Sequence, residues 1–302
     1  MNHWRKCVFR SGFIAIIGRP NVGKSTFFNA TIGDKISIVT AKPQTTRNRI
    51  TGIKNFPDAQ MIFLDTPGMH RAKTPLNRAM VQAARETMGD ADLLLVIVDG
   101  TARPHEEELF LVETLAGARS PVFLAINKID RLEKPRLLPM IDQLSRLHDF
   151  AGIFPVSALK KEGLERLVMC LKDALPEGPR LFPEDIATDA TERFIAEEFI
   201  RERITVLTSQ EIPYVTAVNV ESFREDEAKN LIHISAVISV EKESQKAILI
   251  GRKGAMLKKI GTEAREAMER LFGAKVFLEL FVRVSRDWTL SDKKLREFGL
   301  IK

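Results

Sequence analysis

Lys24 and Ser25 sit within the stretch GRPNVGKST, residues 18–26, where a short apolar run gives way to a helix-forming one. A glycine-rich loop in that context can wrap anionic oxygens. Its glycines let backbone N–H groups turn inward, and the helix start adds the positive end of a dipole. Gly18, Asn21, Val22, Gly23 and Thr26 would build such a cradle, Lys24 would reach β- and γ-phosphates, and Ser25 would ligate Mg²⁺. A second stretch, DTPG at 65–68, offers Asp65 to the same ion through a water and the Gly68 N–H to a terminal phosphate. Thr46, in KPQTTRNRI between the two, could close onto the ion only while the third phosphate is present. Lys24, Thr46 and Gly68 are therefore the candidate catalytic residues, because phosphoryl transfer demands electrostatic stabilisation more than covalent help.

The residue after Gly68 is Met69, where many nucleotide switches carry a glutamine that orients the attacking water. A thioether cannot hold water in that way. His70 follows it, but no nearby residue type in the sequence orients its ring. Base choice is legible in NKID, 127–130. Asp130 can accept from guanine N1–H and the exocyclic N2 amino group, which adenine lacks. Asn127 would order the loop and the Lys128 stem would cover the ring. SAL at 157–159 follows the next apolar run, which makes Ser157 and Ala158 nucleotide-binding candidates, with the Ala158 N–H placed to donate to O6.

The elements that must hold these residues read as an alternation. FIAII, MIFLD, LLLVIVD, VFLAIN and GIFPVSA have the length and content of buried strands. KSTFFNATI, LNRAMVQAARETM, HEEELFLVETLAG and LEKPRLLPMIDQLSRL have helical character. Alternation predicts a mostly parallel sheet covered by helices, with ligands at the carboxyl ends of the strands. Pro176, Pro179 and Pro183, with several acids, then mark a linker over 177–190. Beyond it the order changes to α-β-β-α-α-β: a helix over 191–205, strands near 214–223 and 231–241, helices over 243–250 and 255–272, and a strand over 275–285. The expected organisation is an extension over 1–12, a nucleotide-binding domain over 13–176, the linker, and a smaller α+β domain over 191–302.

The chain has 302 residues, 44% apolar and 28% charged, which suits two globular domains. Two distant cysteines, Cys7 and Cys170, argue against a disulfide framework or a zinc site. The longest apolar run, LLLVIV at 93–98, is far too short to span a bilayer. FIAII runs straight into Gly18, Arg19 and Pro20, which argues against a signal peptide. The net charge of +6 is sorted along the chain. Residues 181–240 carry 5 basic and 12 acidic side chains, whereas 241–302 carry 15 and 9. Lys246, Arg252, Lys253, Lys258 and Lys259 fall within 244–262, a stretch without one acid, and such a cluster attracts polyanions. At its centre is GRKG, 251–254, between two helices. Gly251 and Gly254 would admit a sugar–phosphate chain, Arg252 and Lys253 would meet its phosphates, and Ile250, Lys258 and Lys259 would flank about four single-stranded nucleotides. Ile248, Leu257 and Ile260 read mainly as core.

These motifs together resemble the Era family, bacterial GTPases of small-ribosomal-subunit assembly. GRPNVGKST, QTTR, DTPG with an apolar successor, NKID and SAL are similar to translation-factor-related GTPases with a hydrophobic residue in the glutamine position. GRKG between two helices resembles a type II KH domain. The resemblance covers essentially the whole chain. It implies a P-loop GTPase domain followed by a type II KH domain, GTP and GDP as ligands, and Mg²⁺ as cofactor. It also implies potassium, with Asn21 in the asparagine position that holds it in relatives. As partner it implies the 3′ region of small-subunit ribosomal RNA and the small ribosomal subunit. The expected setting is a cytoplasmic monomer with peripheral contact at the inner membrane. GTP would order residues 34–48 and 66–78 and so change how the RNA-binding surface is presented. Two rival readings are a P-loop kinase, which would lack NKID, and a passive RNA-binding protein with a decayed nucleotide site, against which the intact Lys24, Ser25, Thr46 and Asp65 stand.

Overall fold

The computed structural model describes residues 8–40, 42–43, 45–102, 106–115 and 117–301. Most of the expected extension over 1–12 lies outside that range, as do Cys7 and His105. Its end does not, since the first strand, β1 (Arg10–Ile17), begins three residues before FIAII. The described chain forms two compact units. One comprises residues up to Ser37, Thr46–Arg71 and Met80–Asp189; the other comprises Ile38–Thr45, Ala72–Ala79 and residues from Ala190 on.

In the first unit β1 leads through the glycine loop into α1 (Lys24–Ile32). Then come β2 (Ile50–Phe56), β3 (Ala59–Asp65), α2 (Pro75–Gly89, of which the residues up to Ala79 belong to the second unit), β4 (Leu93–Asp99), α3 (Glu106–Leu115), β5 (Val122–Asn127), α4 (Leu137–Ser145), β6 (Gly152–Pro155) and α5 (Leu164–Ala174). The sheet order is β2-β3-β1-β4-β5-β6, parallel throughout except that β2 runs antiparallel to β3. β4, β5 and the second half of β1 are nearly uniform in apolar residues and largely buried, as central parallel strands are. Each fully buried Ile or Leu among them contributes about 1.5–3 kcal/mol of transfer free energy. β1 pairs with β3 on one side and β4 on the other, which makes it the point where the winding reverses. Ligands in such sheets sit beyond the carboxyl ends of the strands at that point, and GRPNVGKST leaves the carboxyl end of β1.

Three elements differ from expectation. β2, ITGIKNF, sits at the sheet edge and is half polar, so it carries no strong strand signal. The helix expected over 132–147 starts only at Leu137, after a 3₁₀ turn over Lys134–Arg136, because Pro135 fits a helix start better than a helix interior. α5 falls between the strand signals and the proline-rich stretch that dominated the reading of that region. Residues 177–189 do not hang free: they run along the sheet as a strap. Gly178 N donates to Phe9 O (3.1 Å), Ile53 N to Ala187 O (2.8 Å) and the Thr188 hydroxyl to Thr51 O (2.6 Å). Fully buried Gln60 spends its whole side-chain amide here. Its Oε1 accepts from Leu181 N and Phe182 N, and its Nε2 donates to Phe182 O and Asn55 Oδ1.

The second unit contains α6 (Glu192–Leu207), β7 (Ala217–Asp226), β8 (Leu231–Val240), α7 (Glu243–Ile250), α8 (Ala255–Phe272), β9 (Lys275–Val284) and α9 (Asp292–Glu297). The order α-β-β-α-α-β stands as read, with α9 added at the end. Thr191 caps α6 by accepting from Phe194 N. The sheet order is β7-β8-β9, antiparallel then parallel, with a bulge at Val220/Ser222. Phe199, Ile200, Ile204, Ile238, Leu249, Ile260 and Met268 form its core. Ile248, read as core, is 47% exposed, and Leu249 takes the inward place.

Candidate functional site

Backbone conformation explains the composition of the glycine loop. A Cβ on Gly18 would strike the Ile97 carbonyl, and one on Gly23 would strike the Asn127 side-chain amide. Gly23 is left-handed (φ 99°), as is Asn21 (φ 65°), a residue type that tolerates that region. Lys24 opens α1. It is 6% exposed, and its ammonium donates to Gly18 O (3.1 Å) and Arg19 O (2.9 Å). Burial pushes its pKa down to about 8 against the opposing pull of Asp65. Val22 is buried behind the loop, and Thr26 lies half-buried in the first turn of α1.

Ser25, Thr46 and Asp65 converge. The Ser25 hydroxyl donates to Asp65 Oδ2 (2.7 Å) and lies 3.0 Å from the Thr46 hydroxyl, which itself stands 3.5 Å from Asp65 Oδ2. Burial raises the Asp65 pKa, opposed by Lys24 and by the hydroxyls of Ser25, Ser37 and Thr46. Asp65 is wholly buried, and its other oxygen, Oδ1, has no hydrogen-bond partner. An orphaned carboxylate oxygen beside two hydroxyls fits a hard cation that completes its shell with water and phosphate oxygens. Among the described residues no group of three or more His, Cys, Asp or Glu could hold a metal, so phosphate and water would have to supply the remaining ligands.

Sequence reasoning missed two supports of this cluster. Ser37 is 1% exposed and donates to Asp65 Oδ2 (2.7 Å). Asn29 on α1 accepts from Ile36 N and Ser37 N and donates to Ser37 O, fixing the start of the segment that leads to Thr46. A lone Ser or Asn has no sequence signature of this kind. Beyond Asp65, the Thr66 hydroxyl donates to Ile16 O (2.6 Å), and a Cβ on Gly68 would come within 2.7 Å of the Pro20 nitrogen. Met69 is fully buried, with its N–H donating to Gly18 O (3.0 Å).

The base-recognition residues gather at the ends of β5 and β6. The Asn127 amide donates to Val22 O (2.8 Å) and accepts from Ala158 N (2.9 Å), so it staples the glycine loop to the SAL loop. That bond occupies the Ala158 N–H expected to meet guanine O6. Ser157 is buried and donates to Asp130 Oδ1 (2.6 Å). Lys128 donates to Asn21 O (2.8 Å) and to Asp99 Oδ2 (2.6 Å). Asp99 was not foreseen. Burial pushes its carboxyl up, but bonds from Lys128 and Thr101 and the Lys128 charge outweigh burial and leave it below the usual range.

In the second unit GRKG forms a tight turn between α7 and α8. Gly251 and Gly254 have φ of 70° and 79°, and a Cβ on Gly251 would come within 2.7 Å of Met256. Lys253 is also left-handed (φ 52°), an uncommon state for lysine, and both it and Arg252 are exposed. Lys258 and Lys259 are exposed on α8, and Ile250 is half-buried at the end of α7. A groove of about 400 Å³ runs between α8 and β9, lined by Gly254, Leu257, Lys258, Arg265, Leu278 and Leu280 among others. Lys259 lies outside that lining and approaches Glu263 at 4.0 Å. Arg265, Leu278 and Leu280 escaped sequence reasoning, since a β-strand's groove-facing residues look like any half-buried alternation.

Residues 13–128 match the 50S ribosome-binding GTPase family, and residues 211–289 match the KH domain family. The chain is similar to GTPase Era of Syntrophus aciditrophicus (strain SB), 56% identical over 292 residues, 97% of this chain and 95% of that protein. It is also similar to GTPase Era of Geobacter metallireducens, 52% identical over 291 residues, 96% of this chain and 98% of the other. Among solved structures it resembles Era in complex with MgGDPNP and nucleotides 1506–1542 of 16S ribosomal RNA. That likeness has a TM-score of 0.92 at 40% identity, over 97% of this chain and 100% of the other. An Aquifex aeolicus Era variant bound to GDP·AlF₄⁻ gives a TM-score of 0.93 at 40% identity, with the same coverage.

Proposed function

The chain belongs to the Era family of GTPases and hydrolyses GTP, and we propose that residues 13–176 carry this activity to govern an RNA grip built by residues 191–302. The convergence of the Ser25 and Thr46 hydroxyls on Asp65 Oδ2, with the second carboxylate oxygen buried and unpartnered, supports the reading of the first site. Ser25, Thr46 and, through water, Asp65 would hold Mg²⁺, which supplies positive charge against the β- and γ-phosphate oxygens. Lys24, held by the Gly18 and Arg19 carbonyls, exchanges them for those oxygens. The Gly68 N–H meets the γ-phosphate, Asp130 accepts from the guanine edge, and Lys128, oriented by Asp99, covers the ring. Asn21 would contribute to a potassium site beside the phosphates. On that reading, replacing potassium by sodium lowers the hydrolysis rate of the full chain, and an unchanged rate excludes a role for the ion.

For the second site the support is the left-handed GRKG turn above a groove with basic and apolar walls. Such a groove admits a single strand: Arg252, Lys253 and Lys258 meet phosphates while Leu257, Leu278 and Leu280 face bases. The proposed target is the 3′ region of small-subunit ribosomal RNA during assembly of that subunit, with a cytoplasmic monomer as the acting form. The exposed basic charge also permits peripheral contact with an anionic bilayer; among the described residues no helix is long and apolar enough to cross one. The groove favours RNA as its use.

Coupling is supported by Ile38–Thr45, which packs with the second unit although Ser37 and Thr46 at its ends belong to the first. Val39 N donates to Glu202 (3.2 Å), and the Lys42 ammonium meets the Thr205 carbonyl at the end of α6. The test is RNA affinity of the purified chain with a non-hydrolysable GTP analogue, with GDP and without nucleotide. Affinity is expected to differ at least severalfold between the first two, and equal affinity in all three overturns the coupling.

A further inference from the structure

Among the described residues four buried side-chain polar atoms lack a hydrogen-bond partner: Thr31 Oγ1, Asp65 Oδ1, His70 Nε2 and Arg203 Nε. Two of them stand five residues apart on the segment DTPGMH that leaves β3. Asp65 Oδ1 is explained by the magnesium site, whereas His70 Nε2 serves neither the ion nor the base. Burying a polar nitrogen without a partner is costly, so such an atom calls for a ligand or a water. His70 is 9% exposed, and its Nδ1 lies 2.8 Å from Gly68 O. A carbonyl only accepts, so Nδ1 is the donor. In the neutral ring Nε2 then carries the free lone pair.

The backbone leaves little freedom in where this ring goes. Met69 N is bound to Gly18 O (3.0 Å), and Gly68 abuts Pro20, so the turn is pinned to the glycine loop on both counts. The ring is tied to the carbonyl of the same residue whose N–H is assigned to the γ-phosphate. An unpartnered acceptor thus belongs to a ring anchored on the residue assigned to that phosphate, while Met69, in the glutamine position, is buried and chemically unable to serve.

The geometry points to His70 as a further catalytic residue, whose Nε2 accepts a hydrogen bond from the water that attacks the γ-phosphorus. The water oxygen bonds to phosphorus while the bond to the β,γ-bridging oxygen breaks, its electron pair leaving on GDP. One water proton stays on the new phosphate, and the other passes to a γ-phosphate oxygen. GTP⁴⁻ and water thus give GDP³⁻ and H₂PO₄⁻, with His70 orienting the water and ending unchanged. This inference rests on the reading of Gly68 as the γ-phosphate sensor. That reading is tested separately by Gly68→Ala, which should lose the preference for GTP analogues over GDP.

Four versions of the full chain decide the matter by single-turnover GTP hydrolysis with Mg²⁺, alongside fluorescent GDP affinity and thermal unfolding. His70→Ala is expected to slow hydrolysis by about tenfold to a hundredfold, with GDP affinity unchanged. His70→Gln, whose amide reaches the Nε2 position, is expected to stay within about threefold of the parent rate. His70→Asn, which reaches only the Nδ1 position, is expected to fall as far as alanine. Added imidazole is expected to restore part of the alanine variant's rate. If asparagine preserves the rate and glutamine does not, His70 merely holds the Gly68 carbonyl and the proposal falls. It falls equally if alanine hydrolyses at the parent rate. If alanine loses GDP binding, the glutamine and asparagine pair alone decides between the two roles.

Discussion

At Lys24, burial and function pull in opposite directions. The ammonium is enclosed before any phosphate arrives, and its pKa of about 8 lies well below that of a free lysine. A bound triphosphate needs the charged form, so binding above pH 8 must take up a proton. Below pH 8 the empty site is already charged and affinity is flat. From pH 8 upward each unit is expected to weaken nucleotide binding by about tenfold. Titrating a fluorescent GTP analogue from pH 7 to 9.5 checks the slope, and calorimetry in buffers of different ionisation enthalpy checks the proton. Most of this site was legible in the sequence. Lys24, Ser25, Asp65, Asn127 and Asp130 belong to contiguous motifs whose chemistry depends on residue type and spacing. Ser37, Asn29 and Asp99 were not: Ser37 and Asp99 act through side-chain bonds to the motif residues Asp65 and Lys128, Asn29 holds the backbone of Ser37, and folding alone brings those partners together.

Elements were legible where burial is two-sided or the helical face is clear. The central strands and the α7–GRKG–α8 unit read correctly, whereas β2, α5 and the strap over 177–189 needed the third dimension. Composition marks the strap as a linker, yet its backbone is bound along β2 and around Gln60. In the second unit, α6 and β7 meet through a group that responds to pH. Glu197 accepts from Val220 N (2.8 Å) at the β7 bulge, while Arg193 donates to Val220 O (2.9 Å). Burial pushes the Glu197 pKa up to about 7, with Val220 and Arg193 opposing and Glu198 adding to the rise. A carboxyl that holds its proton longer when folded favours the fold at low pH. That contribution is complete below the unfolded value near 4.5 and is lost as pH rises toward 7. Glu197→Gln, which keeps the acceptor, is expected to flatten this dependence and raise the unfolding temperature at pH 8. Thermal scans at pH 5 and pH 8 read both effects.

For the whole molecule, charge sorting becomes a statement about salt. The basic stretch 244–262 follows an acidic one, so polyanion binding is expected to draw mainly on that stretch. Each phosphate contact removed should lower the slope of log affinity against log salt by roughly one for a lysine or arginine lost. Arg252→Ala with Lys253→Ala is therefore expected to weaken RNA binding and flatten that slope by about two, leaving GTP hydrolysis without RNA untouched. Binding isotherms between 50 and 300 mM salt, roughly the span over which such slopes are read, check it.

The strap has a practical side for anyone cutting the chain in two. A fragment trimmed at Pro176, where composition suggests the first domain stops, would strip Gln60 of three backbone partners and bare the flank of β2. Trimming after Asp189 would spare both, and of the two only that longer piece should express as a well-behaved, nucleotide-competent protein.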